Sequence, residues 1–370
     1  MKSYALIAAV AATLPISAAD AQQPAKIEVT DEVAASRFDA FLTRFLADNL
    51  VPSMSVMVLR DSGPIFEKAY GWSDDEGETA TTLDTTYSIA SVTKPVAAAA
   101  IISEAEAGGL DLSLAMRNDS GWQGLCDWLS GSAIVFGGGG TDADGTNVMP
   151  VNCDRDTTLA DMLNMRANGD GSAFVYNPIG FARIDRAISG AGGRDLRDIV
   201  REHAIEKAGI SDIALGWRDP EGGSALRLLA LPFKVENGKR IRTAVGDDDF
   251  RAAAGIKASA RHLAQFDRAL ENRMILPEGW YERIFETPIA QDEGDYRWGW
   301  FVQDWAGYRL AWHSGWDPGR YSAMYLKVPD KDLTLIVLAN TEAVWWGNSV
   351  ARAEIEKSPI ALEFLEQFVR

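Results

Sequence analysis

Ser91-Val92-Thr93-Lys94-Pro95 leads into the apolar run Val96-Ala97-Ala98-Ala99-Ala100-Ile101-Ile102, and its proline marks where a helix begins. Proline lacks the N–H, and its ring collides with the carbonyl four residues back, so Pro95 fits only a first helical turn. Ser91 is thereby placed at the amino end of a helix running to about Ala107. There the backbone N–H groups and the positive end of the dipole favour negative charge developing on the serine oxygen. A spacing of three puts Lys94 on the same face as Ser91. For the lysine to take the serine proton it must be largely neutral near pH 7, which requires burial or positive neighbours to depress a reference value of about 10.4. The pair alone is weak: 23 serines and 11 lysines in 370 residues give about 0.7 such spacings by chance.

Outward from this helix, both chain ends read as sheet. Phe38, Phe41, Leu42, Phe45 and Leu46 follow helical spacing, and Pro52 stops that helix. Two β-rich runs, Ser53 to Arg60 and Pro64 to Tyr70, flank Asp61-Ser62-Gly63 as a hairpin. Further strands are expected near Arg297 to Val302, Tyr308 to His313, Tyr321 to Lys327 and Leu333 to Ala339, before a helix from about Ala351 to Phe368. An α+β fold with an antiparallel sheet built from both ends is implied. The middle is helical in pattern at Leu159 to Met165, Ile179 to Ile188 and Leu196 to Ala208, an α-rich lobe. An irregular insert, residues 117–156, carries Gly137 to Gly140 and both cysteines, and has the length of a lid or binding loop.

Two more segments give the Ser-x-x-Lys pair its value. Phe174-Val175-Tyr176-Asn177-Pro178-Ile179-Gly180-Phe181 lies downstream, and Trp312-His313-Ser314-Gly315-Trp316 closes a late strand before Asp317-Pro318-Gly319. In this order the three resemble the serine β-lactamase and penicillin-recognising hydrolase superfamily, in the style of the class C β-lactamases and their esterase and peptidase relatives. The resemblance spans nearly the whole chain after its leader, including Thr158 to Leu163 and Ala254-Gly255-Ile256-Lys257-Ala258-Ser259. It implies a β-lactamase/transpeptidase-like fold and a Ser91 nucleophile forming an acyl-enzyme, with Lys94 and Tyr176 sharing the base and acid work. It further implies an oxyanion hole made by the backbone N–H groups of Ser91 and Trp316. His313, Ser314 and Gly315 take the place of the family's Lys-Thr-Gly or His-x-Gly motif and would face the substrate, as would Asn177. Which of Lys94 and Tyr176 is the resting base stays open.

Two departures bear on specificity. The family's Tyr-x-Asn has Pro178 at its third position, which offers no side-chain amide. His313 stands where many members carry a lysine, and histidine is fully charged only below about 6.5. Both lean towards an esterase or an unusual amidase. Of twelve tryptophans, seven fall late (Trp298, Trp300, Trp305, Trp312, Trp316, Trp345 and Trp346). Trp298 and Trp300 would share a strand face. Sheet core accounts for most of them, whereas Trp316 is equally placed to line a ring-binding pocket.

The amino terminus reads as an address. Lys2, an apolar run from Tyr4 to Ile16 and Ala19-Asp20-Ala21 match a secretory signal peptide over residues 1–21, leaving a hydrolase domain over 22–370. A periplasmic location in a Gram-negative bacterium is expected, and with it a disulfide between Cys126 and Cys153, 27 residues apart; two free thiols are the alternative. The formal charge of −17 opposes nucleic acid and anionic membrane surfaces. Two cysteines and three scattered histidines build no usual zinc site, so neither metal nor cofactor is expected. The reading is therefore a serine hydrolase acting on a small or medium ester or amide. A β-lactamase or D-amino-acid-specific peptidase is one alternative, and a non-catalytic binding or sensor protein on the same fold another.

Overall fold

The computed structural model describes residues 30–130, 151–289, 295–347 and 352–370. The leader, the glycine run Gly137 to Gly140 and the expected start of the last helix at Ala351 lie outside them.

Helix α1, Asp31–Asp48, carries Asp31 and Glu32 at its positive end and buries Ala34, Phe38, Leu42 and Phe45 along one stripe. Strands β1 (Ser53–Arg60) and β2 (Gly63–Gly71) follow. Their turn, Asp61-Ser62, has φ of 50° and 63°, the left-handed pair that suits a two-residue hairpin. After β3 (Thr86–Ser88) comes helix α2, Thr93–Glu106. The middle contributes short helices, β4 (Ala214–Leu215), the hairpin β5 (Phe233–Glu236) and β6 (Lys239–Arg242), and β7 (Ile256–Ser259). The carboxyl part adds β8 (Tyr296–Arg297), β9 (Trp300–Trp305), β10 (Tyr308–Asp317), β11 (Tyr321–Val328) and β12 (Leu333–Ala339).

The main sheet is antiparallel and runs β2-β1-β12-β11-β10-β9-β8, so the two ends of the chain meet at the β1–β12 pair. Phe38 of α1 packs on Phe66 of β2 and on Phe364 and Phe368 near the carboxyl terminus, which places both terminal helices on one face. On the other face the helix Ala260–Glu271 is tied to β11 by Asp267, which accepts from Tyr325 Oη at 2.6 Å and pairs with the buried Lys327 ammonium. A small sheet, β3-β7-β4, joins the α-rich middle to this face.

Several elements differ from the sequence expectation. The strand expected over Arg297 to Val302 is a tight hairpin, because Trp298 (φ 48°) and Gly299 (φ 93°) turn the chain and Arg297 pairs with Trp300. Trp298 and Trp300 consequently share no strand face. A Cβ on residue 299 would sit 2.7 Å from the Ala98 Cβ, so glycine lets this turn press onto α2. The last helix begins at Pro359, with Ser358 as its cap, since proline suits a first turn. The helix expected over Ile179 to Ile188 is two, Pro178–Phe181 and Ile184–Gly190, and Leu196 to Ala208 passes from α-helix into a π-helical turn at Arg201–Glu206.

Candidate active site

Ser91 lies in a single 3-10 turn, Ala90–Val92, immediately before α2. Ala90 has φ of 46°, an unfavourable conformation for a residue with a side chain, so the turn is sharp and held from outside. The holding groups are on β7: the Ile256 carbonyl accepts from Ile89 N at 3.1 Å, and Thr93 Oγ1 accepts from Ile256 N at 3.4 Å. From the other side β10 approaches so closely that a Cβ on Gly315 would lie 2.2 Å from the Ile89 carbonyl oxygen. Beyond Trp312, β10 has no partner on β9. The stretch from His313 to Asp317, paired on its other side with β11, thus has an edge open towards the serine turn, with the Gly315 backbone against it.

Lys94 is buried to 0% exposure. Its Nζ lies 2.8 Å from Ser91 Oγ and donates to the Ala253 carbonyl at 3.0 Å, over the rings of Tyr176 and Phe181. Burial holds this amine well below the ordinary lysine value. Tyr176 Oη donates to Ser91 Oγ at 3.2 Å, and burial raises its phenol. Its ring stacks on Phe301, and the Met165 carbonyl accepts from Val175 N, so the tyrosine is fixed from both sides.

His313 is 1% exposed: Nδ1–H donates to the Ser314 carbonyl at 2.8 Å, which leaves Nε2 to accept from Tyr296 Oη at 3.1 Å. Burial first, and the neighbouring Lys94 second, push the imidazole well below its ordinary value. It is a neutral ring with both nitrogens engaged, packed behind Tyr176, and presents no free polar atom to a substrate. Strand alternation sets Ser314 on the opposite face from His313 and Gly315. Trp316 follows Ser314 there: its indole stacks on Trp345 at 4.1 Å and donates to Glu342, while Trp312 packs against Trp346. The Trp316 indole therefore lies on the face away from Gly315, which meets the serine turn. Asn177 caps the helix Pro178–Phe181, accepting from Gly180 N at 2.9 Å and donating to Asn168 Oδ1 at 3.1 Å, so its amide is committed inside the lobe.

Cys126 and Cys153 are disulfide-bonded, with Cα atoms 5.5 Å apart. The bond ties the helix Trp122–Ser130 to Cys153, two residues after Val151, which bridges to Asn168, the partner of the Asn177 amide. The two ends of the insert are thus joined to each other, and one of them to the segment before Tyr176, while residues 131–150 lie outside the described ones. Sequence reasoning missed Ala253, whose contribution is a carbonyl with no side-chain signature, and Tyr296, whose hydroxyl donates to the remaining ring nitrogen of His313. The segment around Lys257 was visible as a motif but carried no role.

The family model described as Beta-lactamase matches residues 38–352. Among solved structures, the chain is similar to EstCE1, described as a hydrolase with promiscuous acyltransferase activity, at TM-score 0.65 and 13% identity over 90% of this chain and 99% of that one. It is similar to a class C beta lactamase from Rhodobacter sphaeroides at TM-score 0.61 and 14% identity, over 91% and 99%. It also resembles an octameric penicillin-binding protein homologue from Pyrococcus abyssi at TM-score 0.60 and 17% identity, over 83% and 74%. At such identities the likeness is one of fold. A search of curated proteins gave no match.

Proposed function

We propose, from the premise that this chain belongs to the β-lactamase family, that it is a serine hydrolase working through an acyl-enzyme on a small or medium neutral ester. The observation that carries this is Ser91 Oγ set between Lys94 Nζ at 2.8 Å and Tyr176 Oη at 3.2 Å, with burial keeping the amine neutral and the phenol protonated. In that state Lys94 is the resting base. Its lone pair takes the Ser91 proton as Oγ bonds to the substrate carbonyl carbon, and the oxyanion meets the N–H groups of Ser91 and Trp316. Collapse expels the alkoxide, which takes the Tyr176 proton, and the tyrosine recovers a proton from the Lys94 ammonium. Water then attacks the acyl carbon by the same route in reverse and frees Ser91.

Preference for an ester over a β-lactam or D-alanyl peptide rests on what surrounds the triad. Pro178 supplies no amide, the Asn177 amide is committed to a helix cap, and His313 is neutral and fully paired, so none of these positions offers a partner for a substrate carboxylate or peptide amide. The domain assigned is 22–370, with the disulfide-tied insert limiting substrate size. The disulfide and the leader-like amino terminus support export to a periplasm.

The test is side-by-side hydrolysis of p-nitrophenyl acetate and butyrate, a chromogenic cephalosporin and a D-alanyl anilide, with Ser91→Ala as control. Ester turnover that vanishes in the control, with little cleavage of the other two, is the expected result. Strong cephalosporin or D-alanyl turnover would place the protein with the β-lactamases or peptidases. Absence of Ser91-dependent turnover on all of them, together with no labelling by a fluorophosphonate, would favour a binding or sensor role.

A further inference from the structure

The segment from Asp248 to Gly255 covers the buried end of Lys94, and one side chain spans its two ends. Lys257 on β7 is 1% exposed; its Nζ donates to Asp248 Oδ2 at 3.0 Å and to the Gly255 carbonyl at 3.2 Å. Between these points the chain makes a tight reversal, with Arg251 N and Ala254 N each donating to the other's carbonyl at 2.8 and 3.2 Å. That reversal aims the Ala253 carbonyl at Lys94 Nζ, 3.0 Å away. The path crosses itself: Gly255 has φ of 120°, and a Cβ there would sit 2.7 Å from the Asp249 carbonyl oxygen. Lys257 pairs in register with Ser88, three residues before Ser91, so the same strand end anchors both the serine turn and the covering segment.

We infer that Lys257 is a positioning residue for Lys94: its ammonium, bridging Asp248 and the Gly255 carbonyl, holds the covering segment closed so that Ala253 grips Lys94 and solvent stays off Nζ. The inference rests on the reading of Lys94 as the base. The titratable groups facing Lys94 are Tyr176 and His313, with the Ser91 hydroxyl. Those around Lys257 are Asp248 and Asp317, with Arg320 beyond, paired to Asp317 at 2.7 Å. Burial is what depresses Lys94, and the Lys257 charge is no part of the cause. Loosening the segment therefore returns the Lys94 amine towards its ordinary, protonated state.

The experiment compares wild type with Lys257→Met and Asp248→Asn, the latter keeping an acceptor oxygen at a half-exposed site. It measures kcat and KM for p-nitrophenyl butyrate, and the rate of Ser91 labelling by a fluorophosphonate, from about pH 6 to about pH 10, beside thermal melting. Lys257→Met is expected to lower kcat/KM at neutral pH by about tenfold, mostly in kcat, and to move the acid limb up by about one pH unit. Asp248→Asn should move it in the same direction by less. An acid limb unmoved in both variants, whether or not melting temperature or rate falls, overturns the inference, and Asp248→Asn decides alone if Lys257→Met does not fold. Failure of the underlying reading shows separately, as wild-type turnover and labelling that do not depend on Ser91, and overturns both.

Discussion

At the scale of single residues, the site depends on a lysine whose charge is suppressed. An unfolded lysine keeps its proton up to its ordinary value of 10.5, whereas the buried Lys94 amine gives it up well below that. Across the interval between, unfolding takes up a proton, so the lysine's contribution to stability rises with pH and levels off above about 10.5. The expected outcome is that wild type, relative to a Lys94→Met variant, gains up to about 1.4 kcal/mol per pH unit through this window. Denaturant titrations at several alkaline pH values check the slope; a constant difference would mean Lys94 is charged in the folded protein. His313 obeys the same physics with a different use. Its neutral ring is a packing and hydrogen-bonding element behind Tyr176, and nothing in the motif Trp312-His313-Ser314-Gly315 distinguishes that from a substrate-facing imidazole.

At the scale of elements, the serine turn is positioned by two strands, one hydrogen-bonded to it and one pressed against it. Gly315→Ala tests the second. The added methyl would lie 2.2 Å from the Ile89 carbonyl oxygen, so β10 or the Ala90–Val92 turn must shift. Because the Trp316 N–H belongs to the same stretch, misplacement by a fraction of an ångström should lower kcat/KM by roughly 10²-fold. Circular dichroism should be unchanged, and near-normal kinetics would show that β10 takes no part in the chemistry. Local signals located most of these elements well. The hairpin at Asp61-Ser62, the start of α2 and the last three strands were legible because turn residues and apolar periodicity report on near neighbours. The Trp298-Gly299 hairpin was not, since Arg297 to Val302 reads as a continuous β-rich run and the turn is stabilised by the Leu163 carbonyl accepting from Gly299 N, more than 100 residues away in sequence.

At the scale of the whole molecule, β1 and β12 join the chain ends, and α1 and the last helix seal one sheet face together. Phe38 is the point where α1, β2 and the carboxyl-terminal helix meet, at 0% exposure. Phe38→Ala should destabilise by about 3–5 kcal/mol in denaturant unfolding. Since Phe38 lies on the face away from Ser91, kinetic constants of the folded fraction should stay near wild type. Loss of activity without loss of stability would contradict that separation. Among the described residues no helix is long and apolar enough to cross a membrane.

By itself the sequence determined the order of most elements and the placement of Ser91 and Lys94 on one helical face, because each follows from spacing or backbone preference; the disulfide it only suggested, and the structure decides it. Tertiary structure alone decided the state of those groups. Lys94 is desolvated because Ala253, Tyr176 and Phe181 enclose it from three separate parts of the chain. Asn177 and the Trp316 indole turned out to serve packing and capping, since a strand shows its two sets of side chains to opposite faces and a helix start consumes its capping amide. Desolvation and strand facing are properties of what surrounds a residue, and no residue's own neighbours in sequence contain them.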